Sequence, residues 1–573
     1  MEFDNIITVF KKMIKTDCKS RNAAFWRRSE NNFCKKKNPL FFILIISILS
    51  AMILTSCSGL QKTMSDQDSG YSITNSNSLS NTDSSNAFIS QEEVKSGTLR
   101  LWMQPAETLN PLISTQYQWN SLSHLFYDSL YEINTNQEAV PSLVSETVIS
   151  SDPLTVTIKI KGGIIFHDNT SLDSADVLAT VQFIQNPANL SFYYEQMKNV
   201  IAITAIDSAT IQFTLARPDP FFNYELDFPI LASEKINDIN ILYQPGTGEY
   251  QIISYEKGVE LKASIFDLNK ASKENKVKSI RILELSDTRQ AMEAFGEDKV
   301  DMVLLRDTFY ETYYLRNDIK MIRYPSNKFI FFEMNQSLDK MLFDSAKADY
   351  MKNLLTKPSF LDGISGIFCS SNKMPFLSTS PFVHQSKCKD VLMIETPINP
   401  FANEKRVLEV VYPLNDVFKE MLILKLKSTF ETEKITFNVT GYDPTEYQAI
   451  LLAGKYDLAL IETQLSSNPD PSWLYSKVPL RTVKGLEALN KTGTEMFSQT
   501  QTALDEKYLN QNLKIDAQEF CGIMNQAYRY GPFIGVGFRL NGVVLSKRIR
   551  GQLESNSFNQ YNGVKDVWVW SGQ

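Results

Sequence analysis

The pattern of apolar and polar positions changes character twice along this chain. From Leu40 to Leu54, Phe, Ile, Leu and Met run almost unbroken for about 15 residues, behind the positive cluster Lys35-Lys36-Lys37. A membrane-spanning helix needs roughly 18 or more such residues, so this short run has the make-up of a secretory signal. From Ser58 to Ser96, large apolar residues become rare and Ser, Asn, Asp, Thr and Gln dominate. Such a stretch cannot bury enough surface to offset chain entropy and reads as a flexible tether. From Gly97 onward, apolar positions return with the periods of strands and helices.

Gly97 to Trp102 alternates as a short strand, and Leu109-Asn110-Pro111 turns the chain. Leu122, Leu125, Phe126 and Leu130 have helical spacing, which predicts a helix over 121–131. Leu154 to Ile160 alternates strictly and runs into Gly162-Gly163, a half-buried strand entering a turn. Asp173 or Ser174 then caps a helix with the stripe Val177, Val181 and Ile184, and 209–215 is another strand. Two later segments share one plan. Asp287 caps a helix ending near Gly296, followed by the apolar strand 300–305; Asp443-Pro444 starts a helix ending at Gly454, followed by 456–461. A third such unit has its helix over 416–430 and its strand over 435–439. Nearly continuous apolar strands predict burial on both faces of a mixed sheet. The two regions lie about 150 residues apart, which predicts two lobes closing on a ligand in the groove between them.

The 573-residue length exceeds one core and suggests two or three domains in the mature part. A net charge of −7 without a basic stripe argues against a nucleic-acid partner. Of six cysteines, Cys18 and Cys34 precede the expected cleavage point, and no pair has zinc-site spacing. Cys369 and Cys388 form either one disulfide or two unlinked thiols. The three histidines, His124, His167 and His384, are scattered, so neither a metal nor another cofactor is expected. No nucleophile-elbow serine or paired His-carboxylate motif occurs, and the chain is not expected to be an enzyme.

Leu54-Thr55-Ser56-Cys57 resembles the lipobox of bacterial lipoproteins. The resemblance implies acylation of Cys57 after cleavage of residues 1–56 and a membrane anchor over 57–96, since acyl chains bring about 0.8 kcal/mol per buried methylene. The alternative is an uncut signal anchor. The leader before the apolar run is long, which points to a translation start further in, at Met13.

Several segments, in order, resemble the extracytoplasmic solute-binding proteins of the oligopeptide, dipeptide and nickel class, receptors of ABC importers. They are Gly97-Thr98-Leu99-Arg100, Leu109-Asn110-Pro111, Leu125 to Leu130, Val140 to Val144, Phe166-His167-Asp168-Asn169-Thr170, and Ser174-Ala175-Asp176-Val177. Further matches are Phe213-Thr214-Leu215 with Pro218-Asp219-Pro220, Gly246-Thr247-Gly248-Glu249-Tyr250, Tyr456 to Leu460, and Asn468-Pro469-Asp470-Pro471. The resemblance implies a mixed α/β, two-lobe periplasmic-binding-protein-like fold with an extra small domain. Lobe I would comprise 97–132, 236–325 and 535–573, the small domain 133–235, and lobe II 326–534. It also implies a monomer that captures a peptide or peptide-like solute and presents it to ABC permease subunits.

In peptide-binding relatives, the ligand backbone pairs with cleft strands. The matching positions here are Thr115, Gln116 and Tyr117 on one side, and Gln464, Leu465, Ser466 and Ser467 on the other. Ser467 stands where such relatives carry an aspartate for the ligand's ammonium, and Gln464 stands near the place of their tryptophan. Either the ligand lacks a free amine or another carboxylate supplies the charge. His167-Asp168 is expected to be structural. A non-transport signalling or chaperone-like lipoprotein on the same fold is the alternative function.

Overall fold

Strict alternation at 155–160 produces the strand Thr155–Ile160, with Val156, Ile158 and Ile160 buried and Lys159 exposed. The computed structural model describes residues 97–149, 152–238, 241–266, 277–335, 344–377, 379–380, 398–470, 525, 528 and 531–570. The signal, Cys57, the tether, His384, Cys388 and Pro471 lie outside the described residues.

Three larger sheets carry the fold. The first joins Leu99–Met103, Ser279–Glu284, Glu260–Ile265 and Tyr250–Glu256 in that order; only the Leu99–Met103 pairing is parallel. The second is wholly antiparallel, in the order Val144–Ile149, Thr155–Ile160, Thr210–Leu215 and Val200–Asp207. Helix Ser174–Gln185 packs on it, with Asp173 as a cap whose carboxylate accepts from the Ala175 N–H at 2.8 Å. These two sheets share one continuous core that includes Leu101, Phe126, Phe166, Val177, Phe213 and Ile280.

The third sheet has seven strands, in the order Met302–Leu305, Phe533–Leu545, Lys320–Met334, Leu458–Gln464, Leu408–Pro413 and Phe437–Tyr442, with Cys369–Ser371 also on Phe533–Leu545. It is mixed, because Leu408–Pro413 runs parallel to both its neighbours. The expected apolar strands are buried throughout at 302–305 and at 458–461. Both therefore belong to one sheet, joined by two long strands. Phe533–Leu545 pairs with Met302–Leu305 through 542–545, and with Lys320–Met334 along most of its length. The register of the two long strands breaks between Pro325 and Phe329, where proline removes a ladder donor.

The capped helices form as their termini predict. Asp287, Asp344 and Asp416 each accept an N–H from the first turn, at Thr288–Gly296, Ser345–Leu355 and Val417–Thr432. Asp443 precedes Pro444–Leu452 without a side-chain cap bond, so proline at the first position sets that start. The helix expected over 121–131 differs. It spans Tyr117–Ser123, because Gln116 caps it early and Ser123 already accepts turn bonds from Phe126 and Tyr127.

Candidate ligand-binding site

The motifs that look unrelated in sequence converge on one knot. The His167 N–H donates to Gly246 O at 2.8 Å, and the Gly248 N–H donates to Phe126 O at 2.9 Å. The His167 ring accepts at Nδ1 from the Gly246 N–H at 3.4 Å and faces Gly248 O through Nε2 at 3.0 Å, which makes it the neutral tautomer protonated on Nε2. Burial lowers its pKa, so it stays neutral. Asp168 accepts from Thr170 and pairs with Lys235. This pair of residues is structural, as expected. The two glycines are required by close approach: a Cβ on Gly246 would lie 2.1 Å from Phe126 O, and one on Gly248 would lie 2.4 Å from Phe126 C.

Of the residues proposed for the first ligand-facing segment, Thr115 is exposed and Gln116 is the helix cap, its Oε1 accepting from the Trp119 N–H at 2.7 Å. Tyr117 is the first helical residue, half-buried, with the Arg306 guanidinium 3.6 Å above its ring. Extended backbone therefore ends at Gln116, because that cap starts the helix at Tyr117. In the second segment, Gln464 ends its strand opposite Lys328 and is exposed. Leu465 is in the core, and its backbone is consumed by Asn327: its N–H donates to Asn327 O at 2.8 Å and its O accepts from Asn327 Nδ2 at 2.7 Å. Leu465 thus packs in the core, with its N–H and carbonyl both bonded to Asn327. The hydroxyl of Ser466 donates to Asn468 O at 3.2 Å.

Ser467, three residues past the strand Leu458–Gln464, meets the hairpin turn at 135–137 and the turn around 225–227. Its hydroxyl donates to Asp227 Oδ2 at 2.9 Å, and its carbonyl accepts from Gln137 Nε2 at 3.4 Å. Next to it, Asn468 Nδ2 donates to Glu225 Oε1. Gln137 Oε1 accepts from the Leu377 N–H at 3.4 Å, and Thr379 Oγ1 donates to Thr135 O at 3.1 Å. Residues 135, 137, 225 and 227 thereby face 377, 379, 467 and 468. Two of these participants, Glu225 and Asp227, are acids in the aromatic-rich stretch Phe221 to Phe228, and acids among so many large apolar residues were the available signal. No hydrogen bond joins 115–117 to 464–467 among the described residues.

Below Gln464 an ionic network ties helix Asp307–Tyr313 to the third sheet. Arg539, 3% exposed, donates to Glu311 at 2.7 Å, to Glu462 at 3.0 Å and to Asp416. Lys328 reaches Asp307 at 2.7 Å. Burial pushes the Glu311 carboxyl up to about 7 despite Arg539 beside it. Burial alone would lower Arg539, but its four acidic neighbours hold it above its ordinary value. Cys369, facing this network, is a free and fully buried thiol, and its expected partner Cys388 lies outside the described residues. Among the described residues, no group of three metal-ligating side chains gathers, and no helix is long and apolar enough to cross a membrane.

The arrangement of three sheets, with two long strands carrying one lobe into the other, defines a two-lobe solute-binding-protein fold. Solved structures share it: the ABC transporter substrate-binding protein CtaP from Listeria monocytogenes (TM-score 0.64, 18% identity, 83% of this chain and 100% of that one) and the unliganded open form of MppA, a periplasmic murein tripeptide binding protein (TM-score 0.67, 12% identity, 83% and 97%). Residues 138–354 match the family model "Bacterial extracellular solute-binding proteins, family 5 Middle". The glutathione-binding protein GsiB of Escherichia coli strain K12 is 28% identical over 156 residues, 26% of this chain. Over residues 138–354, then, the chain is similar to family 5 of the bacterial extracellular solute-binding proteins, and the shared fold agrees with that likeness. The match spans 30% of the length of these curated relatives.

Proposed function

We propose that this protein is the substrate-binding component of an ABC importer, anchored outside the cytoplasm through acylated Cys57, which captures a peptide or peptide-like solute as its lobes close. Lobe I (97–132, 236–325, 535–573) and lobe II (326–534) would meet across the two long strands, with the small domain (133–235) attached to lobe I. The observation that carries the reading is the set of contacts from Thr135, Gln137, Glu225 and Asp227 to Leu377, Thr379, Ser467 and Asn468. These are single hydrogen bonds between polar groups, each worth about 1 kcal/mol, which a bound ligand can outweigh or reinforce. Relatives that bind glutathione and a murein tripeptide support a peptide-like ligand. The protein would bind, close and hand over its solute to permease subunits, acting as a monomer and transforming nothing.

Ser467 bears on a second reading. Its hydroxyl is already engaged by Asp227 without any ligand, which favours a closed protein that signals or chaperones without transport. Small-angle scattering of the full chain in detergent, titrated with a peptide library, separates the two. A ligand-dependent fall in the radius of gyration supports the importer component; a radius that no peptide changes supports the second reading.

A further inference from the structure

Arg306 occupies an unusual electrostatic position. Its guanidinium lies half-buried against the face of Tyr117, at 3.6 Å from the ring centroid. None of its five N–H donors has a hydrogen bond or ion pair among the described residues. The nearest acid, Asp307, is already engaged by Lys328 at 2.7 Å and has Arg539 at 3.8 Å. The cation is therefore held by an aromatic face, while the carboxylate beside it is committed elsewhere.

A second, independent observation concerns the same place. Tyr324 and Asn541 face each other in register across the two long strands, and they are 4% and 5% exposed. Neither the Tyr324 hydroxyl nor the Asn541 Oδ1 completes a well-aligned hydrogen bond, although Tyr324 lies within polar reach of Asn541 and Tyr117. A buried polar atom without a well-made hydrogen bond is costly, so such an atom beside a free cation marks a place for a ligand. Tyr324 feels the charge of Arg306 and lies beside Tyr117. Burial raises both phenols above their ordinary value, so both stay protonated and able to donate.

We infer that Arg306, stacked on Tyr117 and adjoined by the Tyr324–Asn541 pair, is a specificity-determining anchor for a carboxylate of the ligand. A guanidinium fork matches a carboxylate in two parallel hydrogen bonds. The Tyr324 hydroxyl adds a neutral donor, and the Tyr117 face fixes the orientation of the fork. The anchor sits at the segment 115–117 and beside the strands that join the lobes, so a ligand held there touches the elements that move on closure. This inference rests on the proposed solute-binding role for its choice of a peptide-like carboxylate.

The test uses the full chain in detergent, with wild type, R306Q and R306K checked for equal melting temperatures without ligand. Calorimetric titration compares peptides bearing a free C-terminus with their C-amidated counterparts. Wild type should bind the free acids about ten- to a hundredfold more tightly. R306Q should bind both forms equally, and R306K, which keeps the charge and loses the fork, should fall between. An amidation penalty absent in wild type, or one equally large in R306Q, overturns the anchor. If no peptide binds, the peptide-receptor reading fails, and the anchor is then decided by small probes in thermal shift. A melting-temperature rise with succinate or acetate that R306Q abolishes supports it. No such rise, or a rise with inorganic phosphate alone, overturns it.

Discussion

Glu333 offers the clearest quantitative test of how this fold is held. It lies on the strand Lys320–Met334, is buried, and accepts a hydrogen bond from the Tyr456 hydroxyl at 2.6 Å. Burial pushes its carboxyl from 4.5 up to about 8, with the Tyr456 bond opposing weakly. A carboxyl with a raised folded pKa binds protons more tightly folded than unfolded. Its penalty is therefore absent below about pH 4.5, grows as pH rises, and saturates above about pH 8. Each pH unit in that window costs about 1.4 kcal/mol, so the ionised unfolded state gains about 3 kcal/mol on the native state by neutral pH. Glu333→Gln removes the penalty and keeps an acceptor for Tyr456, at a cost of about 1 kcal/mol for the added amide hydrogens. The variant should thus be about 2 kcal/mol more stable near neutral pH, and no more stable, or slightly less, at about pH 4.5. Urea unfolding from pH 4.5 to 8.5 measures both curves. Parallel curves for wild type and variant would refute the assignment of a neutral buried acid.

Three further outcomes follow from the same contacts. Gly246→Ala forces a Cβ to 2.1 Å from Phe126 O, against backbone that cannot yield, and should cost about 3 kcal/mol or more in chemical denaturation. Arg539→Met leaves Glu311, Asp416 and Glu462 without their cation and should destabilise by about 3–5 kcal/mol, less at pH 5 than at pH 8 because protonating Glu311 relieves the repulsion. Gln137 sits at φ 59°, which asparagine tolerates. Gln137→Asn shortens the reach to Ser467 and Leu377 and should shift the lobes toward the open state about fivefold, read as a larger radius of gyration at unchanged melting temperature.

Most of the fold was legible because local signals agreed with the global packing. Alternation at 155–160, the aspartate caps at 173, 287 and 416, and apolar runs at 302–305 and 458–461 all act within a few residues. The knot of His167, Gly246 and Gly248 was legible as motifs, though their mutual contact spans about 80 residues and only the structure displays it. The site was less legible. Leu465 belongs to the core and Tyr117 to a helix, because Asn327 and Gln116 take up the neighbouring backbone, and such long-range or capping claims leave no periodic trace. Asp227 and Arg306 escaped for a related reason. Each is a lone charge whose meaning depends on what stands opposite: Ser467 for one, Tyr117 for the other.

The central claim is that the lobes enclose a solute. Native mass spectrometry of the full chain released from its own membranes tests it most directly. The account predicts a co-purifying mass that fragments as a peptide or peptide-like compound and is displaced by related peptides. A protein that arrives empty, and that a broad peptide library neither occupies nor stabilises, would contradict it.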